Sequence, residues 1–222
     1  MQSLTPLLNL FLKLNCPLCE RVAEGVFCRD CLRRVQHCQV NDVSRFWQKP
    51  LPLFPWGIYG GALKQAIAAL KYDKQRAVAR PLGQMLGQAW LKAAIASPPL
   101  TVIPIPLHAD KQAQRGFNQA ALLADAFCQV SRLPLCPEGL VRVRATEAQF
   151  SLSGGARMKN LADAFQVSNG LLRRPLRGSV LLLDDIFTTG ATVQVAAQCL
   201  RQQQIEVYGV VAIAVSLKDG GT

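Results

Sequence analysis

The run VLLLDDIFTTGAT extends from Val180 to Thr192. Val180 to Leu183 is wholly apolar, as a strand buried on both faces of a parallel sheet would be. Asp184 and Asp185 follow side by side, and two like charges repel when they leave water together. Ile186 and Phe187 then lead into Thr188, Thr189, Gly190, Ala191 and Thr192. The pattern predicts a strand ending at the acid pair, a hydroxyl-rich turn, and a helix from Thr192 to Gln203. An acid pair beside such a turn asks for a positive, polyhydroxylated or phosphorylated partner.

Working outward, the same alternation recurs. Leu63, Ala66, Ile67 and Leu70 repeat at helical spacing, as do Leu82, Met85, Leu86 and Ala89. Thr101 to Ile105 is a short strand-like run, although Pro104 within it cannot donate to a ladder. Phe117 to Val130 reads as a helix. Gly139 to Val143 and Ala164 to Val167 read as strands, and Val207 to Val215 as a final buried one. Strand, loop and helix in alternation predict an α/β fold with a parallel sheet covered on both sides. In such sheets ligands bind beyond the carboxyl ends of the strands, where Asp184 and Asp185 are expected. Backbone N–H groups at a helix N-terminus, with threonine hydroxyls beside them, make a phosphate cradle. Gly190 lets the backbone approach closely. The acids would accept hydrogen bonds from ribose hydroxyls or hold magnesium, so the expected occupant is a ribose 5-phosphate with its counter-ion. A plain strand followed by an N-capped helix explains one aspartate and one threonine of this run, not the whole of it.

Upstream, Cys16-Pro-Leu-Cys19 and Cys28-Arg-Asp-Cys31 form two C-x-x-C pairs. Two such knuckles deliver four thiolates to one tetrahedral zinc, which closes the coordination sphere and makes the metal structural. So small a segment would take much of its stability from the ion. Cys38 is a spare candidate ligand, whereas His37, beside an already complete four-cysteine set, is expected in a solvated loop. Cys128, Cys136 and Cys199 stand alone in apolar contexts and are expected in the core. His108 is expected in a solvated loop. Residues 1–40 therefore read as a zinc module and residues 41–57, rich in proline and tryptophan, as a connector that packs on the body. Residues 58–222 read as the α/β domain.

The formal net charge is +11 on 222 residues, and half the chain is hydrophobic. Disorder is excluded by that composition, and an anionic partner is favoured. Residues 64 to 115 carry eight cations against Asp73 and Asp110; residues 142 to 177 carry seven against Glu147 and Asp163. No stretch reaches the roughly 20 apolar residues of a membrane span. The N-terminal segment lacks a basic n-region and a cleavage site, and its Leu4, Leu7, Leu8 and Phe11 suggest a short packed helix. A cytoplasmic protein without membrane insertion is expected.

VLLLDDIFTTGAT resembles, along its whole length, the phosphoribosyl pyrophosphate (PRPP) motif of type I phosphoribosyltransferases. The double C-x-x-C module, IYGGALKQAIAALKYDK, VIPIPLHADKQAQRGFNQA and QFSLSGGARMKNLADAF together resemble the ComF/GntX family over almost the whole chain. Arg115 to Gln119, and the spaced Gln149, Leu152, Arg157 and Asn160, carry that narrower likeness. The resemblance implies the type I phosphoribosyltransferase fold. It implies ribose contacts from Asp184 and Asp185, and 5-phosphate contacts from Thr188, Thr189, Gly190, Ala191 and Thr192. It implies magnesium bound with PRPP, a pyrophosphate loop at Pro106 to Arg115, and a closing loop at 144 to 160. Arg115 and Arg157 would contact pyrophosphate or nucleic acid. ComF-like relatives are linked to competence and single-stranded DNA, GntX-like relatives to DNA as a nutrient.

Of three functions, the first expected is a DNA-uptake or DNA-use accessory binding PRPP or ribose 5-phosphate and single-stranded DNA; the alternatives are an active transferase on an unidentified nucleobase-like acceptor, and a PRPP-sensing or assembly module whose zinc ribbon docks a protein partner. The first brings competence or DNA-processing proteins as partners. Replacing both aspartates by asparagine is expected to weaken ligand binding and leave folding nearly unchanged.

Overall fold

The computed structural model describes residues 14–144 and 164–217. A small antiparallel pair, β1 (Leu14–Asn15) with β2 (Val22–Ala23), opens the chain and is followed by α1 (Arg29–Gln36). The main sheet contains β3 (Leu53–Ile58), β4 (Leu100–Pro104), β7 (Ser179–Phe187) and β8 (Val207–Val215), all parallel, in the order β3-β8-β7-β4. Between β3 and β4 run α2 (Gly61–Tyr72), a 3-10 turn (Arg76–Val78) and α3 (Ala79–Ala93). After β4 come α4 (Ala109–Arg115) and α5 (Gln119–Ser131). A short ribbon of β5 (Leu140–Arg142) and β6 (Phe165–Val167), then α6 (Asn169–Arg173), precede β7. The last helix, α7 (Ala191–Gln202), joins β7 to β8.

The expected α/β sheet covered on both faces is present. Leu181, Leu183, Val211 and Ile213 face a core shared with α2, α3 and α5. Val180, Leu182, Val210 and Ala212 face the other core, closed by α7 and the β5–β6 ribbon. Helices α3 and α5 lie so close that a Cβ on Gly83 would stand 2.5 Å from the Leu123 carbonyl oxygen.

Two expectations change here. Residues 53–57, assigned to the connector, belong to the sheet, because β3 pairs with β8 from Leu53↔Val210 to Ile58↔Val215. Pro55 and Pro104 are tolerated because β3 and β4 are the two outer strands, where a missing donor breaks no ladder between strands. Second, β7 does not stop at the acid pair but runs to Phe187, held by Asp184↔Ala212, Ile186↔Ala214 and Phe187↔Val215. Its other neighbour, β4, ends opposite Leu183. The pair thus sits where one side of the strand has lost its partner.

The cysteine module is fused to the body. Cys16, Phe27, Cys31 and Val35 share a core with Phe54, Trp56 and Leu63. Ile58 N–H donates to the Cys38 carbonyl and Val40 N–H to the Trp56 carbonyl, covering the outer edge of β3. Trp47 of the connector packs edge-on against Phe54 and Trp90, with centroids 6.5 and 5.8 Å apart. The N-terminal helix expected at Leu4, Leu7, Leu8 and Phe11 lies outside the described residues. So do Gln149, Leu152, Arg157 and Asn160.

Candidate functional site

The acid pair lines a cleft of about 230 Å³ together with Lys71, Ile105, Pro106, Leu107, Gln119, Arg142, Ile186, Thr188 and Thr192. Side chains alternate across a strand, so the two acids meet different neighbours. Asp185 is only 3% exposed, and its Oδ1 accepts from the Lys71 ammonium of α2 at 2.9 Å. Its Oδ2 is buried without a hydrogen-bond partner among the described residues. The Oδ1 of Asp184 accepts the Asp185 N–H at 2.8 Å. Burial, and then the neighbouring Asp185 charge, push the Asp184 carboxyl from 3.8 up to about 8, against the attraction of Lys71 and Arg142. Burial conversely lowers Arg142, and the Asp184 charge raises it. An orphaned oxygen beside a carboxylate that resists ionising is a site short of positive charge or donors. Hard carboxylate oxygens fit magnesium, which prefers one or two of them plus substrate phosphate.

The hydroxyl-rich turn follows. Gly190 caps α7 with φ +77°, the left-handed region that favours glycine. A Cβ there would lie 2.5 Å from the Phe187 ring. Thr189 Oγ1 accepts the Ala191 N–H at 3.4 Å. Thr188 and Thr192 face the cleft, while Thr189, Gly190 and Ala191 shape the turn. The first-turn N–H groups of a helix lack intrahelical acceptors and favour an anion.

Sequence reasoning missed Lys71 and Arg142 because each is far from the motif along the chain. Their signal was only membership of two basic segments, which the fold brings to one cleft. Of the segment Pro106 to Arg115, expected to be a loop, Ala109–Arg115 is helical. His108 Nδ1 accepts the Asp110 N–H at 3.4 Å to cap its start, and Gly116, at φ +80°, ends it. His108 is therefore a cap rather than a solvated loop residue. Arg115 lies outside the acid cleft but donates to Gln119 Oε1, whose side chain lines it. Arg157 lies outside the described residues, as does most of the expected closing loop. The flanks of that segment are the β5–β6 ribbon, joined where Val143 N–H meets the Ala164 carbonyl.

In the cysteine module, the sulfurs of Cys16, Cys19, Cys28 and Cys31 lie within 4.8 Å of one another. Cys19 and Cys28 Sγ are 3.6 Å apart; a tetrahedron with Zn–S near 2.3 Å needs about 3.8 Å. The donor set and spacing fit zinc. Hydrogen bonding from Arg21 pulls the Cys19 thiol down to about 6, while burial pushes Cys31 up to about 12. Cys38 stands apart, donating to the Arg34 and Gly60 carbonyls. Cys128, Cys136 and Cys199 are half-buried against the cores rather than sealed within them. Among the described residues no helix is long and apolar enough to cross a membrane.

No family model matches the chain. It is 31% identical over 194 residues to the DNA utilization protein YhgH of Escherichia coli O157:H7, covering 83% of each. It is 31% identical to competence protein F of Haemophilus influenzae, covering 78% of this chain and 77% of that one. It is 26% identical to competence protein ComFC of Bacillus subtilis, covering 85% and 72%. Among solved structures it is similar to the adenine phosphoribosyltransferase of Leishmania tarentolae, with TM-score 0.38, 14% identity, and 62% and 57% coverage. For the orotate phosphoribosyltransferase of Aeropyrum pernix the values are 0.34, 17%, 68% and 63%.

Proposed function

The chain belongs to the family of the DNA utilization and competence F proteins, and from that premise we propose that it serves DNA uptake or use by binding PRPP or a ribose phosphate. The observation that carries this reading is the orphaned Oδ2 of buried Asp185, beside Asp184 and the Thr188–Thr192 turn. In this reading, N–H groups at the start of α7 and the Thr188 and Thr192 hydroxyls receive the 5-phosphate. Asp184 and Asp185 accept the ribose hydroxyls, and Lys71 is drawn away from Asp185 as they do so. Arg142 balances the charge of Asp184. Magnesium bound with PRPP would neutralise the pyrophosphate. Single-stranded DNA is the second ligand, favoured by the net charge of +11. Zinc bound by Cys16, Cys19, Cys28 and Cys31 would hold the cysteine module together.

The test is calorimetric titration with Mg-PRPP, alongside a fluorescent oligonucleotide titration over a salt series. Saturable Mg-PRPP binding, reduced at least tenfold by Asp184→Asn with Asp185→Asn, is expected. Wild-type protein that binds neither PRPP nor ribose 5-phosphate would remove the proposal. The intact motif also favours a second reading, turnover, which predicts pyrophosphate release when Mg-PRPP is offered with one of a panel of nucleobases.

A further inference from the structure

Beside the acid cleft lies another, of about 350 Å³, lined by Lys71, Tyr72, Lys74, Lys111, Gln114 and Arg115. None of those residues is acidic. The cations come from two elements, the C-terminal end of α2 with its following turn, and α4. Lys74 holds φ +55°, a backbone conformation uncommon for a side chain of this kind. Tyr72 is the last residue of α2 and 74% exposed, the most exposed large apolar side chain among the described residues. A ring so open to water gains nothing for folding. It is nonetheless attended, because the Arg115 guanidinium lies 6.0 Å from its centroid. Arg115 is itself held by Gln119, and Gln119 and Lys71 line the acid cleft. The nearby acids among the described residues are few. Asp110 is exposed at the start of α4 and outside the cleft wall, Asp185 is engaged by Lys71, and Asp73 caps the end of α2.

An exposed aromatic face ringed by cations, without carboxylates in the wall, matches what an unpaired nucleotide presents: a flat base and a phosphate. We propose that this cleft binds single-stranded nucleic acid, Tyr72 stacking one base while Lys74, Lys111 and Arg115 hold the flanking phosphates. The site rests on the reading above, in that Lys71 joins it to the ribose-phosphate cleft. A strand seated here has its sugar-phosphate at the edge of the acid pair. A duplex keeps its base faces covered and cannot use the ring.

The experiment measures fluorescence anisotropy of a labelled oligothymidylate across a salt series, with Mg-PRPP affinity measured separately on each variant. Tyr72→Ala is expected to weaken oligonucleotide binding about 5- to 150-fold, and Tyr72→Trp to retain it. Lys74→Ala with Lys111→Ala should flatten the slope of log affinity against log salt by about 1.4, at about 0.7 per phosphate contact. A duplex of the same length should bind more weakly than the single strand and be indifferent to Tyr72→Ala. Mg-PRPP affinity should be unchanged in the Tyr72 variants. Oligonucleotide binding that survives both Tyr72→Ala and the double lysine change overturns the site while leaving the ribose-phosphate reading intact. Loss of Mg-PRPP binding in wild-type protein, with the Tyr72 effect still present, overturns only the earlier reading.

Discussion

Asp184→Asn is expected to stabilise the ligand-free protein even as it removes a ligand contact. The Asp184 carboxyl stands at about 8 against an ordinary 3.8, because burial and the Asp185 charge both oppose its ionisation. That is about 4 pKa units, each worth about 1.4 kcal/mol, so the ionised form could cost the folded state at most about 6 kcal/mol. Water in the open cleft screens the repulsion, and a gain of about 1–2 kcal/mol is the reasoned expectation. An acid whose folded value is raised binds more protons folded than unfolded between pH 4 and 8. Wild-type stability therefore falls as pH rises through that window, whereas asparagine does not titrate. At this chain length 1 kcal/mol moves the melting temperature by about 2–4 °C. The variant should melt about 2–8 °C above wild type at pH 8, with the difference shrinking toward pH 4. Scanning calorimetry of both proteins without ligand at pH 5 and pH 8 reads this directly. A variant that melts at or below wild type at pH 8 would refute the reasoning and make the carboxylate a structural one.

Asp185→Asn should behave oppositely, destabilising the protein by about 3–5 kcal/mol, because Lys71 loses its 2.9 Å partner and is left a nearly buried charge; its melting temperature should fall. The sequence alone suggested that the paired change would be neutral to folding, and the geometry divides it into two opposed effects. Metal analysis should find about one zinc per chain, and chelation should loosen the module so that trypsin cuts after the surface residues Arg21 and Arg29, since Cys16 and Cys31 anchor the module to the main core. Gly190→Ala forces a side chain into φ +77° and onto Phe187, so ribose 5-phosphate affinity should fall and the melting temperature should drop by about 2–8 °C. In an exposed helix glycine to alanine stabilises by about 1 kcal/mol. Gly83→Ala should instead destabilise by about 1–3 kcal/mol in urea denaturation, because the Leu123 carbonyl oxygen lies 2.5 Å from the new methyl.

What the chain declares by itself is what neighbouring residues decide among themselves. The apolar run Val180 to Leu183, the acid pair and the threonine turn announce strand, site and helix because backbone preference and hydrophobic period act locally. The two C-x-x-C pairs announce a metal because each turn alone aims two sulfurs. The bounds of β8, Val207–Val215, follow for the same reason. What the tertiary structure decides is everything set by partners distant in sequence. Residues 53–57 look like a connector because prolines break ladders, and only their place at the sheet edge against β8 makes them a strand. Asp184 and Asp185 look like equals, and only burial on different sides of β7 gives one the Lys71 ammonium and the other a raised carboxyl. Tyr72 looks like one more apolar residue of a helix. It becomes a bare ring among cations only because α4 folds back beside the end of α2, and pattern along one helix carries no information about what packs next to it.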